Sequence, residues 1–423
     1  MKNTRRQFIK TSGIGIVATG IVPAFLTSCG NEKKPSPEKN VFTSMVKDVT
    51  PLSEADYLAR QENARRHLKE NKIDAIFIEG GTNLKYFFNM SWWLSERVFG
   101  ALISVTGNTV WICPAFETER AKEQIPAGDK IFTWEEHESP YRLMGKIVKE
   151  LGFSTGKMAM CPNIRSFVVE GFMRDAGIQI VDGSIITESC RAVKSDKEIA
   201  FMDLANKITK MALQYGFGKM QAGMTKRELA SIFSDVHSQL GVSGGGDTAF
   251  GFTTAFPHGT SQKRDLNDGD VVLIDAGCGV EGYRSDVSRS VIFGKPSDRQ
   301  KEVFDVVLKA QQAAFNAVRP GIACGDIDKA ARKVMEDAGF GPAYKYFAHR
   351  LGHGIGLDVH EFPYLVKDNP LILKPGMTFS NEPGIYIYGE FGIRIEDCFA
   401  VKDDGAYVLG AMQTTSIEKP FGV

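Results

Sequence analysis

The feature that most constrains this chain is a pair of apolar segments that each carry an aspartate. Between residues 271 and 293, two segments rich in Val, Ile, Phe and Tyr flank a Gly-punctuated turn, which predicts a β-hairpin in a buried sheet. Asp275 ends the first apolar run, and Asp286 lies in the predicted return strand. A buried carboxylate is costly unless it is paired or binds a metal, and two carboxylates in one hairpin repel each other unless a cation lies between them. Taken alone, each aspartate is equally consistent with a turn cap or with an ion pair to Arg284 or Arg289.

More acidic and imidazole side chains follow in the last quarter of the chain, in Gly-rich or strand-like surroundings. They lie in residues 349–361, 381–384 and 394–397. With the hairpin they supply four carboxylates and one imidazole, from Asp275, Asp286, His353, Glu382 and Glu396. This oxygen-rich set suits a pair of hard or borderline divalent metals.

Strand geometry bears on which of these side chains share a face. Arg394 and Glu396 are two residues apart, so a strand places them on the same face. His353 and His360 are seven residues apart, so a regular strand would place them on opposite faces. Gly354 and Gly356 permit a bend or bulge that re-aims one of the two histidines.

The order of five motifs between residues 247 and 398 resembles that of a known family. The segments DAG, SDVSR, HGIGLDVHE, NEPG and RIED are similar to those of the metal-dependent peptidases of the pita-bread fold, namely methionine aminopeptidase, Xaa-Pro aminopeptidase and prolidase. The resemblance implies that Asp275 binds one metal, that His353 and Glu382 bind the other, and that Asp286 and Glu396 bridge the two.

The same resemblance identifies His258 and His360 as the family's substrate-side histidines. The departures from the usual pattern are small, because Ser288 stands where Thr is usual and Asn381 precedes the Glu-Pro-Gly segment. Neither departure falls on a ligand position.

The implied chemistry is hydrolysis of an N-terminal Xaa-Pro bond. Two metals about 3.5–4 Å apart share a water and lower its pKa, so that hydroxide attacks the peptide carbonyl. His258 or His360 stabilises the oxyanion, and Glu382 or Glu396 carries the proton to the leaving nitrogen. Arg394 either holds a substrate carboxylate or orients Glu396, and both interpretations stay open. Carboxylate-rich sites favour Mn²⁺, although Co²⁺ and Zn²⁺ also bind.

Helices outside a Gly-rich antiparallel sheet predict the α+β class, and the resemblance implies a C-terminal pita-bread domain preceded by a smaller α/β domain. Residues 53–190 alternate between helices and strands and resemble the N-terminal domain of Xaa-Pro peptidases and creatinase, which methionine aminopeptidases lack. Residues 188–194 form the predicted link. Ser195 and Thr225 each open a capping box in the catalytic domain, residues 191–423.

An aromatic segment in residues 83–93 has two interpretations. Most such segments are core. The alternative is that Trp92, Trp93 and Arg97 cover a substrate mouth, either their own or that of a partner subunit, and the resemblance implies a homodimer.

The N-terminus predicts export. Arg5 and Arg6 lie in a segment that resembles a twin-arginine signal, and residues 26–29 resemble a lipoprotein cleavage box that makes Cys29 the lipidated residue. Residues 1–28 are therefore the predicted signal peptide and residues 29–52 a flexible tether. The expected location is a membrane face or the periplasm. A simple membrane anchor, or a soluble exported protein with an incidental Cys29, is the alternative.

The composition indicates which classes of partner the chain binds. With 43% hydrophobic and 24% charged residues over 423 positions, the chain has ordinary globular composition. It has no basic run or aromatic–basic interleaving, which argues against nucleic acid. The expected partner is a small peptide with proline in the second position. The other functions considered are a creatinase-like C–N hydrolase and a non-enzymatic peptide-binding protein on the same fold.

Overall fold

The structure is a computed structural model that describes residues 41–107, 109–153, 155–342 and 344–422. The predicted signal peptide, Cys29 and the first part of the predicted tether lie outside the described residues. In these ranges no helix combines the length and apolarity needed to span a membrane.

The N-terminal domain alternates between helices and strands, as predicted. Its elements are α1 (Glu54–Glu70), β1 (Ala75–Glu79), α2 (Thr82–Phe88), β2 (Gly100–Ser104), β3 (Val110–Pro114), α3 (Thr118–Lys122), β4 (Lys130–Trp134), α4 (Pro140–Glu150), β5 (Lys157–Met160), α5 (Ser166–Asp175), β6 (Gln179–Asp182) and α6 (Ser184–Ala192).

Within the described N-terminal part, the six strands form one mixed sheet in the order β4-β3-β2-β1-β5-β6. Strands β1, β2 and β3 are buried along their whole length, because helices cover both faces of the sheet. Helices α1, α2, α3 and α6 pack on one face, where Leu68, Phe87 and Ile186 contribute to the core. Helices α4 and α5 pack on the other face through Met144 and Phe172.

The C-terminal domain places helices outside antiparallel sheets. Its helices are α7 (Asp196–Phe217), α8 (Lys226–Gln239), α9 (Asp298–Ala317) and α10 (Cys324–Asp337), and its strands are β7 (Gly244–Phe250), β8 (Val271–Val280), β9 (Tyr283–Arg284), β10 (Val287–Ile292), β11 (Gly352–Gly354), β12 (Glu361–Leu365), β13 (Thr378–Asn381), β14 (Gly384–Ile387), β15 (Phe391–Arg394), β16 (Asp397–Lys402) and β17 (Gly405–Val408).

The antiparallel sheets of this domain bring distant segments together. One sheet has the order β10-β8-β7, another the order β12-β11-β13-β16-β17, and β14 pairs with β15. Helices α9 and α10 pack on the second sheet through a core that includes Phe304, Phe379 and Phe399. The capping boxes predicted at Ser195 and Thr225 begin α7 and α8. The predicted α+β class is confirmed.

The structure differs from the sequence expectation at the hairpin. Asp286 does not lie in the return strand but in a break between β9 and β10. The Ser285 hydroxyl accepts the Cys278 N–H at 2.9 Å, so a side chain interrupts the ladder at this point. The break follows from this local competition, which apolar patterning does not reveal.

Two predicted connections also differ. Residues 188–192 belong to α6 rather than to a link, because Ile186 and Cys190 bury its apolar face on the first sheet. Residues 41–52 do not behave as a free tether. Phe42, Met45 and Val49 pack against the core beneath α7, and the Met45 N–H donates to the Leu240 carbonyl at 2.9 Å.

The aromatic segment is core only in part, and its role at a substrate mouth stays a prediction. Trp92 is half-buried and stacks on Phe99, with ring centroids 3.9 Å apart. Trp93 is 82% exposed.

Candidate active site

The five predicted ligands come from five different places in the C-terminal domain. Asp275 lies within β8, Asp286 in the break before β10, and His353 in β11. Glu382 directly follows β13, and Glu396 lies between β15 and β16. All five side chains line one cavity of about 440 Å³. The fold therefore gathers side chains that are more than 120 positions apart in the sequence.

The ligand atoms form three overlapping groups, within each of which all atoms lie within 4.8 Å of one another. The groups are Asp275, Asp286 and Glu396; His353, Glu382 and Glu396; and Asp286, His353 and His360. The His353 Nε2 atom lies 3.3 Å from Glu382 Oε1 and 3.5 Å from Asp286 Oδ2. Asp286, His353 and Glu396 each belong to two groups, so the bridging role that the resemblance implies for the two carboxylates stays a prediction.

The carboxylates carry more negative charge than their surroundings neutralise. Burial, with the Glu396 and Asp275 carboxylates, raises the pKa of Asp286. Burial and the neighbouring carboxylates Glu382 and Asp275 raise the pKa of Glu396 to about 8, while burial raises the pKa of Glu382 to about 7. Burial lowers the pKa of His353, which keeps the imidazole neutral and able to bind a metal.

The hydrogen bonding of Glu396 indicates whether these residues can hold a cation. The Ser288 hydroxyl donates to Glu396 Oε2 at 2.6 Å, but the buried Oε1 atom has no hydrogen-bond partner within the described residues. A buried oxygen without a donor is costly, and a cation among the carboxylates would satisfy it. The donor set of four carboxylates and one imidazole therefore fits divalent metal ions.

The sequence allows a bend or bulge at Gly354 and Gly356, and the structure has an irregularity at the first of these positions. The register of β11 against β12 shifts between His353 and Gly354. His353 and His360 do not share a regular strand, because residues 355–360 form the loop between β11 and β12, and their ring centroids lie 3.9 Å apart. Burial and the neighbouring His353 lower the pKa of His360 to about 4, so this imidazole is neutral near pH 7. His258 lines the same cavity and an adjoining cavity of about 630 Å³.

The guanidinium of Arg394 is hydrogen-bonded to several other groups of the protein. It is 3% exposed, and its guanidinium donates to Ser288 Oγ at 2.8 Å and to Asp275 Oδ2 at 2.7 Å. Further donations at 3.2 Å go to the Pro257 carbonyl and to the Tyr386 hydroxyl. Its Nε atom lies 4.0 Å from Glu396 Oε2. This geometry favours orientation of the acidic side chains over binding of a substrate carboxylate. Ser288 keeps the hydroxyl that joins Arg394 to Glu396, so its departure from Thr preserves this contact.

Three residues of this site were not predicted. His349 and Arg350 line the cavity, and the Tyr386 hydroxyl donates to His349 Nε2 at 2.9 Å. This donor assignment follows from the His349 Nδ1–H, which faces the Arg350 carbonyl at 2.8 Å. Burial lowers the pKa of His349 to about 3. Residues 349 and 350 lie in irregular backbone, where no periodicity indicates which side chains face inward. Their closeness to His353 in the sequence was the one available signal.

Comparison with known proteins matches both halves of the chain. A model of metallopeptidase family M24 matches residues 200–403, and a model of the creatinase/prolidase N-terminal domain matches residues 60–193. Over 351 residues the chain is 35% identical to an Xaa-Pro dipeptidase of Lactobacillus helveticus, and the alignment covers 81% of this chain and 94% of that protein.

Crystal structures show the same likeness. The dipeptidase PepE from Mycobacterium ulcerans superimposes with a TM-score of 0.80 at 30% identity, covering 85% of this chain and 97% of that one. An X-Pro aminopeptidase from Thermotoga maritima superimposes with a TM-score of 0.67 at 30% identity, covering 82% and 97%.

Proposed function

Since this chain belongs to metallopeptidase family M24 and carries a creatinase/prolidase N-terminal domain, we propose that it hydrolyses the peptide bond between an N-terminal residue and a proline in the second position. Its catalytic domain has the pita-bread fold. The observation that carries the proposal is the cluster of Asp275, Asp286, His353, Glu382 and Glu396 in one cavity. The complete ligand set argues against the creatinase-like and non-enzymatic alternatives.

Two divalent metal ions are the proposed cofactors, with Mn²⁺ the metal best suited to a carboxylate-rich site. Asp275 would hold one ion, His353 and Glu382 the other, and Asp286 and Glu396 would bridge them. Metal ions bound in this way lower the pKa of a shared water and polarise a carbonyl oxygen.

The remaining steps belong to side chains of the chain itself. The neutral His360 imidazole can donate a hydrogen bond to the oxygen of the scissile carbonyl as charge develops on it, and His258 is the second candidate donor. Glu382 lines the cavity, with its Oε1 atom 3.3 Å from His353 Nε2, and is the carboxylate placed to take a proton from water and pass it to the leaving nitrogen. Arg394 holds Asp275 and Ser288 in place.

Arg350 is the group best suited to a substrate carboxylate. Its guanidinium lies over the Tyr364 ring, 4.3 Å from the centroid, and makes no hydrogen bond or ion pair with the described residues. It lines the cavity beside His349 and His353. We therefore expect dipeptides with a free carboxylate to be better substrates than longer peptides.

An assay of the released N-terminal residue tests the function, because cleavage of Ala-Pro gives alanine and proline and cleavage of Ala-Pro-Gly gives alanine and Pro-Gly. The metal-free protein is prepared with a chelator, restored with Mn²⁺, and assayed with Ala-Pro, Ala-Pro-Gly and creatine. Proline release from Ala-Pro and no turnover of creatine are expected. Arg350→Gln should raise KM for Ala-Pro and leave the slower cleavage of Ala-Pro-Gly nearly unchanged. A protein that binds two metal equivalents but cleaves neither peptide would refute the proposal.

Export, a lipid anchor at Cys29 and a homodimer are further proposals. The exposed Trp93 supports the homodimer, because a large aromatic side chain on the surface is typical of an interface. Sedimentation of the chain from Asn40 onward tests this, and a fully active monomer at micromolar concentration would contradict it.

A further inference from the structure

We infer that the N-terminal domain takes part in the reaction by fixing the loop that carries His360, through ion pairs from Arg191 in α6 to Asp358 and Glu361, which Lys194, in the connection between α6 and α7, supplements with an ion pair to Glu361. Arg191 and Lys194 act here as positioning residues. The inference rests on the proposed function, since it assigns to His360 the role of donor to the substrate carbonyl.

Arg191 reaches the loop from the N-terminal domain. It lies in the last turn of α6, the helix that buries Ile186 and Cys190 in the core of the first sheet. Its Nη2 atom donates to Asp358 Oδ2 at 2.7 Å and to Glu361 Oε2, and its Nη1 atom donates to Asn83 Oδ1 at 3.1 Å. The Arg191 guanidinium therefore connects α2 and α6 to Asp358 and Glu361, which flank His360 in the sequence.

Two more contacts complete this network. Lys194 donates to Glu361 Oε1 at 2.6 Å, and both side chains are almost fully buried. The Thr82 hydroxyl, at the start of α2, donates to Asp358 Oδ1 at 2.6 Å. Both carboxylates are thus bonded through each of their oxygens, and two cations balance two anions. Such charge-assisted bonds fix geometry more closely than neutral ones do.

His360 depends on these neighbours for its position. It lies between Asp358 and Glu361, in the segment that joins β11 to β12. Its ring makes no hydrogen bond with the described residues and meets His353 only by ring contact. On the side of the N-terminal domain, a cavity of about 150 Å³ lined by Asn83, Arg191 and Glu361 borders the same histidine. Because this cavity lies behind the ring, the position of the ring depends on the backbone on either side of His360.

A second ion pair between the same domains offers a matched control. Arg60 in α1 donates to Glu198 in α7 at 2.9 Å, and both side chains are as buried as those of Arg191 and Glu361. Arg60 also donates to the hydroxyl of Tyr283 at 2.7 Å, but within the described residues it makes no hydrogen bond or ion pair with residues 355–361. If the network around Arg191 only held the domains together, loss of Arg60 and loss of Arg191 would have similar effects.

The experiment compares Arg191→Gln, Thr82→Val and Arg60→Gln in the Mn²⁺-restored protein. We expect Arg191→Gln to lower kcat on the order of 10- to 100-fold, because a displaced donor loses the interaction that forms in the transition state. KM and metal content should change little. Thr82→Val removes only one hydroxyl contact and should fold normally, with a smaller loss of the same kind. Arg60→Gln should lower the melting temperature without this loss of kcat.

The Arg191→Gln change is also made in a protein that carries His360→Ala. If Arg191 acts through His360, adding Arg191→Gln to His360→Ala should cause no further fall in kcat. Amide hydrogen exchange in residues 355–361 should become faster in Arg191→Gln but not in Arg60→Gln. An equal loss of kcat with and without His360, or an equal loss in Arg60→Gln, would overturn the inference. A wild-type protein that cleaves no Xaa-Pro bond would instead refute the proposed function, and the exchange data would still report on the loop.

Discussion

Glu396 is a buried carboxylate whose hydrogen bonds are incomplete. It is 1% exposed, and within the described part of the chain only one of its two oxygens has a donor, the Ser288 hydroxyl. We expect Glu396→Gln to bind less metal and to release no proline, because glutamine keeps the shape of the side chain but removes the bridging charge. Metal analysis after dialysis and the Ala-Pro assay check both parts.

Asp247 provides the control for metal content. It lies directly opposite Asp275 in the register of β7 and β8, yet it is exposed and belongs to none of the three ligand groups. Asp247→Asn should therefore bind as much metal as the wild type. An active Glu396→Gln protein with two metals bound would show that this carboxylate is not a bridging ligand.

The same carboxylates make the metal-free protein sensitive to pH. Burial and charge repulsion raise the pKa of Glu382 to about 7 and that of Glu396 to about 8, from an ordinary value of 4.5. A group whose pKa is higher in the folded state stabilises the fold below its unfolded pKa, and this contribution is lost as pH rises through the folded pKa. The metal-free protein should therefore lose stability between about pH 4.5 and about pH 8.

Thermal denaturation of metal-free and Mn²⁺-loaded protein over this pH window measures the effect. The loaded protein should lose less stability, since metal ions replace the protons between the carboxylates. In the metal-free state, Glu396→Gln should show a weaker pH dependence than the wild type. An unchanged melting temperature of the metal-free wild type across the window would refute the electrostatic account.

The sequence motifs predict which residues are candidate ligands, but they do not predict the hydrogen bonds that hold those side chains in place. Asp275, His353 and Glu396 stand in motifs whose order is specific enough to identify them. The role of Arg394 depended on Tyr386 and on the carbonyl of Pro257, which is 137 positions away in the sequence. Such contacts follow from the packing of the sheets, which no local pattern encodes.

At the level of elements, the apolar strands could be predicted and the Gly-rich one could not. Strand β7 has the sequence GGGDTAF and lacks the alternating side chains that predict a strand. It forms because β8 needs a partner on this side and because glycine permits close approach. A Cβ atom at Gly246 would lie 2.5 Å from the Cβ of Ala276.

The segment 41–52, which we call the N-terminal strap, has a pattern of apolar residues that its linker-like composition obscures. Its apolar residues recur at spacings of three and four, in a stretch that otherwise resembles a polar linker. In the structure, Phe42 makes an edge contact with Tyr215, with ring centroids 5.3 Å apart. The side chain is only partly buried, so its removal should cost less than the 3–5 kcal/mol typical of a core phenylalanine.

We expect Phe42→Ala to lower the free energy of unfolding by about 1–2 kcal/mol. Urea denaturation of the chain from Asn40 onward measures this difference. Val41→Ala is the matched control, because Val41 is exposed and makes no core contact. If the two variants lost equal stability, the strap would not be docked as the structure describes it.

At the scale of the whole molecule, the strap determines how much chain separates the folded protein from Cys29. The described contacts of the strap include Phe42, and about a dozen positions of the sequence separate this residue from the proposed lipid attachment site. Fully extended, they would span roughly 40 Å at most. A lipid-anchored enzyme would thus remain close to the membrane surface, where small peptides can still reach its cavity by diffusion.

The proposed anchor leads to the last prediction. One acyl chain binds a membrane marginally, whereas several anchor a protein stably, so the mature protein should be released from membranes by detergent and not by salt. Cys29→Ala should abolish lipid labelling, whereas Cys113→Ala, at a buried cysteine, should not. Replacing Arg5 and Arg6 with Lys should leave unprocessed, active enzyme in the cytoplasm, because twin-arginine signals export folded proteins. Folding before export would also let Mn²⁺ be captured away from the Cu²⁺ and Zn²⁺ that outcompete it. Lipid labelling of Cys29→Ala would refute the anchor, and normal export of the double-Lys variant would refute export of the folded enzyme.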